Sequence, residues 1–432
     1  MVQPIDDRSE GWAGSVAFAP GTEGFAYRPG EILVAGRSGA DAAARLFPRG
    51  FRSDAEPVFD EDERDEADRW YVLRGDVDAL VASDELGLVG VVAQPNHVLF
   101  SHGCGCCAPH PAARWQGALA GAPVYASPVY ASPVYASPVY ASGLQPTGRR
   151  RSSAVACAPP PWAPAAPAGT GAASAVTIGV LDTGMAADGF RPAALDHLVP
   201  GSSGHEEVPD EDADLWVDPA AGHGTFIAGL IDLAAPGCRV VVERVLSNLG
   251  DGDEVAIARR IVALSSSVSI LNLSFGGYAE AQMRVLAAAV GRAQADGAVV
   301  VASAGNDATC RPTFPASLRG VVGVGALGPT GPAPFSNYGP WVRACAPGVD
   351  VVSRFFTGFD GHAAPSSGGP DPDHLEGWAT WSGTSFAAPL VAAALARDMV
   401  IGGRTAPEAV ARVIDAPGLL RLPDLGTVVN VA

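Results

Sequence analysis

An aspartate, a histidine and a serine stand far apart in this chain, each in a short segment of apolar or small residues. Asp182 follows the apolar run of residues 176–181, His223 lies between two glycines, and Ser385 ends a Ser-Gly-Thr-Ser segment. A serine hydroxyl is a weak nucleophile near neutral pH and needs a base within hydrogen-bond reach. Imidazole can take the proton, and a carboxylate can orient the imidazole and stabilise its charged form. The order Asp, His, Ser is one of a few in which this hydrolytic chemistry occurs.

A fourth segment supplies a hydrogen-bond donor for the negative charge that develops in such a reaction. Residues 299–304 read as a buried strand that ends in a sharp turn at Gly305-Asn306. We expect the Asn306 amide and the backbone N–H of Ser385 to form an oxyanion hole. Removing an asparagine donor of this kind lowers turnover by about 10²–10³ in known cases.

The segments around these residues resemble those of the subtilisin-like serine proteases (subtilases). The resemblance covers residues 174–432 and implies a serine endopeptidase that forms an acyl-enzyme at Ser385. A run similar to the family's substrate-pairing strand consists of Ser274, Phe275, Gly276 and Gly277. The other expected substrate-binding residues are Ala302, Ser303, Ala304 and Gly305. These small residues predict an open, uncharged pocket that favours large apolar or aromatic side chains.

Two alternatives to a general endopeptidase share the same residues. One is a catalytically silent protein whose cleft grips a peptide or its own pro-domain. The other is a dedicated maturation protease whose natural substrate is a single partner peptide. Reaction with an active-serine probe distinguishes an enzyme from a binding protein.

The region of resemblance, residues 174–432, is called the peptidase region below. Its sequence predicts an α/β fold: a subtilisin-like, doubly wound, mainly parallel sheet with helices on both faces. Buried apolar runs such as residues 177–181 and 270–273 alternate with helical runs such as 279–295, as such a sheet requires. His223 and Ser385 are each expected to open a helix, whose dipole favours negative charge nearby. Pro389 is expected in the first helical turn, where its missing N–H does no harm.

Residues 27–100 predict a small ferredoxin-like α+β domain in front of the peptidase, after an N-terminal tail of residues 1–26. The pattern is βαββαβ, with strands at 31–35, 58–59, 70–74 and 89–93 and helices at 41–47 and 77–86. It resembles subtilase pro-domains, which assist folding and block the cleft with their C-terminal tail. The resemblance therefore implies an intramolecular pro-domain as a partner and a self-processed zymogen.

Residues 101–173 are predicted to be a linker. Cys104, Cys106 and Cys107, flanked by two histidines, could bind a soft metal, but the spacing of structural zinc sites is missing, so reduced thiols remain the other interpretation. The proline-containing repeat of residues 122–142 predicts an extended tract that is a spacer, a recognition element or a set of cleavage sites, with the maturation cut expected within Tyr125–Ala141. Arg149–Arg151 is the second candidate for that cut.

Composition and charge narrow the classes of function. A net charge of −18 argues against an electrostatic grip on nucleic acid. No signal peptide or membrane-spanning run is apparent, so the expectation is a cytoplasmic protein without membrane contact, with non-standard export left open. No cofactor is required by the resemblance, calcium is left open, and no metal ligands are assigned. The acidic run Glu206–Asp214 reads equally as a solvated loop, and a Cys310–Cys345 pair is conceivable.

Overall fold

The structure is a computed structural model that describes residues 16–19, 24–48, 50–51, 55–59, 69–101, 152–160, 176–201, 206–280, 282–361 and 374–431. Three features predicted from the sequence lie outside these ranges. They are the Cys104, Cys106 and Cys107 cluster, the repeat across Tyr125–Ala141, and Arg149–Arg151.

The strands of the N-terminal half are β1 Ala17–Phe18, β2 Ala26–Ala35, β3 Glu56–Pro57, β4 Trp70–Arg74, β5 Ala93–Ser101 and β6 Val155–Ala156. Those of the peptidase region are β7 Thr177–Asp182, β8 Val199–Pro200, β9 Arg239–Arg244, β10 Asp251–Asp253, β11 Ile270–Leu273, β12 Phe275–Gly276, β13 Val299–Ser303, β14 Val322–Gly328, β15 Gly331–Pro332, β16 Val342–Pro347, β17 Val351–Asp360, β18 His374–Trp381, β19 Arg421–Leu422 and β20 Gly426–Val428. The α-helices are α1 Arg37–Leu46, α2 Ala79–Leu88, α3 His223–Ala234, α4 Glu254–Ser265, α5 Arg284–Ala295, α6 Thr384–Gly402 and α7 Ala406–Val413.

A mainly parallel sheet forms the centre of the peptidase region, in the order β19-β20-β16-β14-β13-β11-β7-β9-β8. Its strands are buried on both faces, and successive residues alternate between two hydrophobic clusters. Val180 packs into the cluster that contains α3 and α6, whereas Leu181 packs into the cluster that contains α4 and α5. Helices therefore cover both faces, and the predicted doubly wound α/β fold is confirmed.

The N-terminal domain is an antiparallel sheet in the order β5-β2-β4-β3, packed against α1 and α2 around its own core. This order and the βαββαβ sequence of elements are those of the ferredoxin-like fold. Two predicted strands are displaced: the strand predicted at residues 58–59 lies at Glu56–Pro57, and the last strand occupies Ala93–Ser101 rather than residues 89–93. Its partners β10 and β12 belong to the peptidase region, so the sequence of the N-terminal domain alone does not indicate them.

Two short strands lie outside the predicted domain boundaries. β1 falls in the predicted N-terminal tail and pairs with β2. β6 falls in the predicted linker and pairs with β18 as the edge strand of a sheet with β17. The peptidase region thus includes chain that precedes residue 174.

Helix α6 is long and apolar enough, by composition, to cross a membrane. However, 72% of its apolar window is buried inside the protein, against the strands of the central sheet and α3. It is the core helix of the peptidase region, and its first turn carries Ser385.

Candidate active site

Asp182 and His223 form a buried pair at the carboxyl edge of the central sheet. Asp182 is the last residue of β7, and His223 is the first residue of α3. His223 Nδ1 lies 2.6 Å from Asp182 Oδ1, and both side chains are fully buried. The same carboxylate oxygen accepts a hydrogen bond from the backbone N–H of Thr183 at 2.8 Å. The carboxylate is therefore fixed and can hold the imidazole with Nδ1 protonated and Nε2 available.

Glycine lets the two backbone segments of this pair approach each other. A Cβ on Gly224 would lie 2.3 Å from the carbonyl oxygen of Gly184, so no larger residue fits there without a shift. At this close approach the N–H of Gly224 donates to the Thr183 hydroxyl at 2.9 Å. The Gly-His-Gly and Asp-Thr-Gly segments therefore pack directly against each other, and this contact brings the imidazole to the carboxylate.

Glu207 anchors the start of α3, a role that the sequence did not indicate. Its carboxylate accepts hydrogen bonds from the N–H of Gly222 at 3.0 Å and from the hydroxyl of Thr225 at 2.6 Å. The bond from Gly222, with another from the Thr225 backbone N–H at 3.2 Å, satisfies donors at a helix N-terminus, where intrahelical acceptors are missing. Burial raises the pKa of Glu207, and its hydrogen bonds oppose that change. The interpretation of Glu206–Asp214 as a solvated loop is wrong for Glu207, which is fully buried.

Ser385 lies in the first turn of α6 and is held on two sides by Ser274. The Ser385 hydroxyl donates to the carbonyl oxygen of Ser274 at 2.9 Å. In return, the Ser274 hydroxyl donates to the carbonyl oxygen of Ser385, also at 2.9 Å. The second bond has a clear cause: in a regular helix the N–H four residues later would bond this carbonyl, and Pro389 has none. Pro389 lies inside the helix beyond its first turn, so the prediction of a first-turn proline is wrong.

Asn306 is oriented by Thr384, the residue before the serine. The Asn306 side-chain oxygen accepts hydrogen bonds from the Thr384 backbone N–H at 3.0 Å and from its hydroxyl at 2.9 Å. With the oxygen engaged there, the amide's N–H₂ group is the part that can donate to an oxyanion. The backbone N–H of Ser385 is in the first helical turn, where such groups have no intrahelical acceptor.

Two rings of an aromatic cluster pack on His223; the cluster consists of Phe226, Phe355, Trp381 and Phe386. Trp381 packs edge-to-face on the imidazole, with ring centroids 5.4 Å apart at 88°. Phe386, the neighbour of Ser385, packs against it at 5.3 Å. His223 Nε2 is buried and has no hydrogen-bond partner among the described residues. A buried polar atom without a partner is uncommon in proteins, and catalysis is one reason for a protein to retain such an atom.

Strand β5 of the N-terminal domain lies between two strands beside the serine. It pairs antiparallel with β10 on one side and with β12, the predicted substrate-pairing strand, on the other. Within it, Phe100 is opposite Gly276 and Ser101 is opposite Phe275. A Cβ on Gly277 would lie 3.1 Å from the carbonyl oxygen of Val98, so the glycine permits this close approach.

The other predicted pocket residues lie at the end of β13. Ala302, Ser303 and Ala304 are fully buried, and the two alanines belong to separate hydrophobic clusters. The N–H of Gly305 donates to the hydroxyl of Thr384 at 3.1 Å, which joins this segment to the start of α6. The structure thus brings the strand end close to the serine, and the preference of the pocket stays a prediction.

Three carboxylates of the loop before α3 come together: Asp210, Asp212 and Asp218, with ligand atoms within 4.8 Å of one another. Burial, opposed by hydrogen bonds and assisted by the two neighbouring carboxylates, raises the pKa of Asp218 to about 7.

Among the described cysteines, Cys310 and Cys345 are both free thiols, so the conceivable disulfide is not formed.

Comparison with known proteins agrees with this geometry. Residues 173–409 match a model of the subtilase family, peptidase S8. The chain is similar to a thermophilic serine proteinase of Bacillus sp. (strain AK1), at 34% identity over 52% of this chain and 52% of the relative. It is also similar to subtilisin DY of Bacillus licheniformis, at 30% identity over 51% of this chain and 75% of the relative.

The crystal structure of fervidolysin, from Fervidobacterium pennivorans, superposes with a TM-score of 0.56 at 20% identity. The match covers 94% of this chain and 60% of fervidolysin. At this identity the likeness concerns the fold, and it extends over both the N-terminal domain and the peptidase region. The chain spans about half the length of the first curated relatives, 52% and 47%.

Proposed function

The chain belongs to the subtilase family of serine proteases, and from that premise we propose that it is an endopeptidase with Ser385 as nucleophile. The observation that carries the proposal is the state of His223. Its Nδ1 is engaged by Asp182, its buried Nε2 has no partner among the described residues, and its ring packs against Phe386, the neighbour of Ser385. An imidazole held in this way is poised to accept a proton at Nε2.

In the proposed reaction the Ser385 hydroxyl, which donates to the Ser274 carbonyl in this structure, turns to His223 Nε2. His223 Nε2 takes the hydroxyl proton of Ser385 as the serine oxygen attacks the peptide carbonyl, which forms a tetrahedral oxyanion. The Asn306 amide and the Ser385 N–H stabilise that oxyanion, and Asp182 stabilises the imidazolium. His223 then returns the proton to the leaving amine, and a water molecule releases the acyl group from Ser385 by the same steps.

We further propose that the N-terminal domain is an intramolecular inhibitor and that the chain is made as a zymogen. Support comes from buried polar contacts that join β2 and β5 to the peptidase region. Arg28 and Asp251 form a buried ion pair at 3.2 Å. The fully buried Glu254 accepts from Gln94 at 2.9 Å and lies 2.7 Å from His97 Nδ1. These contacts give each buried charged or polar group a partner from the other part of the chain, as buried polar groups require, and so define one docked arrangement.

The strand register suggests where the first cut falls. Ser101, the last residue of β5, is opposite Phe275. The preceding residue, Ser274, accepts the hydrogen bond from the Ser385 hydroxyl at its carbonyl oxygen. The antiparallel register therefore points to a first cleavage just after Ser101. Cuts within Tyr125–Ala141 or at Arg149–Arg151, suggested by the sequence, then become later trimming steps.

Intact-mass analysis of purified wild type beside Ser385→Ala tests this proposal. We expect wild type to lose an N-terminal piece that ends just after Ser101, and the alanine variant to remain whole. A first product that ends within Tyr125–Ala141 would refute the register argument but not self-processing. A wild type that stays whole and cleaves no peptide would refute the enzyme and favour a peptide-binding protein.

Many subtilases bind calcium, and the proposed enzyme requires no cofactor for its chemistry. Carboxylate oxygens are the donors that calcium prefers, and Asp210, Asp212 and Asp218 are the described residues that fit this chemistry. A bound cation would offset the repulsion that contributes to the raised pKa of Asp218. Its effect would be to stiffen the loop that leads to α3.

A further inference from the structure

A short strand that precedes the family match is part of the peptidase structure. We call residues 152–157 the tether strand. Val155 and Ala156 pair antiparallel with Thr380 and Ala379 of β18. The N–H of Ser152 donates to Val217 at 2.9 Å, in the loop that leads to α3. The tether strand therefore joins the segment before His223 to the segment before Ser385.

The tether strand also fixes the tryptophan that packs on the proposed catalytic base. The indole N–H of Trp381 donates to the Ser153 hydroxyl at 2.7 Å. Trp381 is only 2% exposed, and its ring meets His223 edge-to-face. An indole has a single donor, so this bond, together with packing against Phe226, Phe355 and Phe386, sets the rotation of the ring within its pocket. The orientation of the ring in turn limits how the imidazole can tilt.

We propose that Ser153 is a positioning residue for His223, acting through Trp381, and that the tether strand remains part of the active enzyme. This inference deepens the proposed function and rests on it. Asp182 holds one end of the imidazole at Nδ1, whereas Trp381 packs on the ring itself. Together they fix the position of Nε2, the atom that must accept the serine proton. Because catalytic rates fall steeply when a reacting group is displaced, this position matters for kcat.

Retention of the tether strand constrains where maturation can cut the chain. A cut that leaves Ser152 and the residues after it on the enzyme preserves the tether strand. Cleavage just after Ser101, within Tyr125–Ala141 or at Arg149–Arg151 meets this condition. A cut beyond Cys157 would remove the hydrogen-bond partner of Trp381 and is expected to leave a weakened enzyme.

The direct test is Ser153→Ala in the full chain, with Ser153→Thr as the conservative variant. Ser267→Ala, which changes an exposed serine just beyond the end of α4, is the matched control. We expect Ser153→Ala to lower kcat on a peptide substrate about 3- to 10-fold, the range of one neutral hydrogen bond, with KM little changed. Ser153→Thr should recover most of the lost kcat. The rate of labelling by a serine-directed phosphonate should fall in parallel with kcat.

A double-mutant cycle separates positioning from general destabilisation. Trp381→Phe removes the indole donor, so Ser153→Ala should cost nothing further in that background. Additive losses in the double variant, or a wild-type kcat in Ser153→Ala, would overturn the inference about Ser153. In either case the proposed function would still stand, because the wild-type enzyme would be active. An active species whose N-terminus lies beyond Cys157 would also overturn it. A wild type that neither cleaves peptides nor reacts with the phosphonate refutes both together.

Discussion

Replacing Ser274 by alanine should destabilise the first turn of the helix that carries the nucleophile. The Ser274 hydroxyl supplies the donor to the Ser385 carbonyl that Pro389 cannot provide, and it also accepts a hydrogen bond from Asn272 at 2.9 Å. All of these groups are buried. A buried polar group that loses its partner costs about 1–3 kcal/mol. We therefore expect Ser274→Ala to lower the free energy of unfolding by about 2 kcal/mol.

The measurement is denaturant unfolding, carried out with Ser385→Ala as the parent so that autolysis does not interfere. Pro389→Ala provides the informative partner variant, because it restores an N–H that can bond the carbonyl of residue 385. It should recover about 1 kcal/mol in the Ser274→Ala background and contribute less when Ser274 is present. Ser267→Ala serves as the control. A Ser274→Ala variant as stable as its parent, or equal effects of Pro389→Ala in both backgrounds, would refute the reasoning.

Three further predictions concern the site. Asn306→Ala should lower kcat about 10²–10³-fold with KM little changed; a loss confined to KM would make Asn306 a binding residue instead. The folded protein holds a proton on Asp218 below its pKa of about 7, and the unfolded chain releases it near 3.8, so the free energy of unfolding falls as pH rises between these values. One pKa unit corresponds to about 1.4 kcal/mol. The free energy of unfolding of Asp218→Asn should therefore fall by up to about 3 kcal/mol less than that of wild type between about pH 5 and about pH 8. Equal pH dependence of the two unfolding free energies would contradict this. Profiling of cleaved peptides should show large apolar or aromatic residues before the cut bond, and a dominant preference for arginine or lysine would contradict the predicted pocket.

Local patterns in the sequence were enough to predict the sheet, its helices and the pairing of Asp182 with His223. Apolar runs that alternate with helical runs dictate a parallel sheet, and catalytic groups then fall at strand ends and helix starts. The glycines around His223 also have a local cause, since they allow the close approach to Gly184.

The features that the sequence did not reveal depend on contacts between distant parts of the chain. Glu207 sits in an acidic run that is indistinguishable from a solvated loop until α3 is placed above it. The tether strand reads as linker because its partner β18 follows much later in the chain. The last strand of the N-terminal domain differs from its predicted position for the same reason, because peptidase strands provide two of its partners. The error in placing Pro389 has a simpler cause: even from the predicted start at Ser385, residue 389 is the fifth of the helix and lies past a first turn of about 3.6 residues.

The central claim, that Ser385 is a nucleophile activated by His223, is tested most directly by phosphonate labelling followed by peptide mapping. Wild type, Ser385→Ala, His223→Ala and the control Ser267→Ala are incubated with the probe after mild treatment with denaturant to loosen the N-terminal domain. We expect a single adduct on the peptide that contains Ser385, equal labelling of the control, and none in the other two variants. An adduct on another serine, or labelling of His223→Ala at the wild-type rate, would contradict the claim.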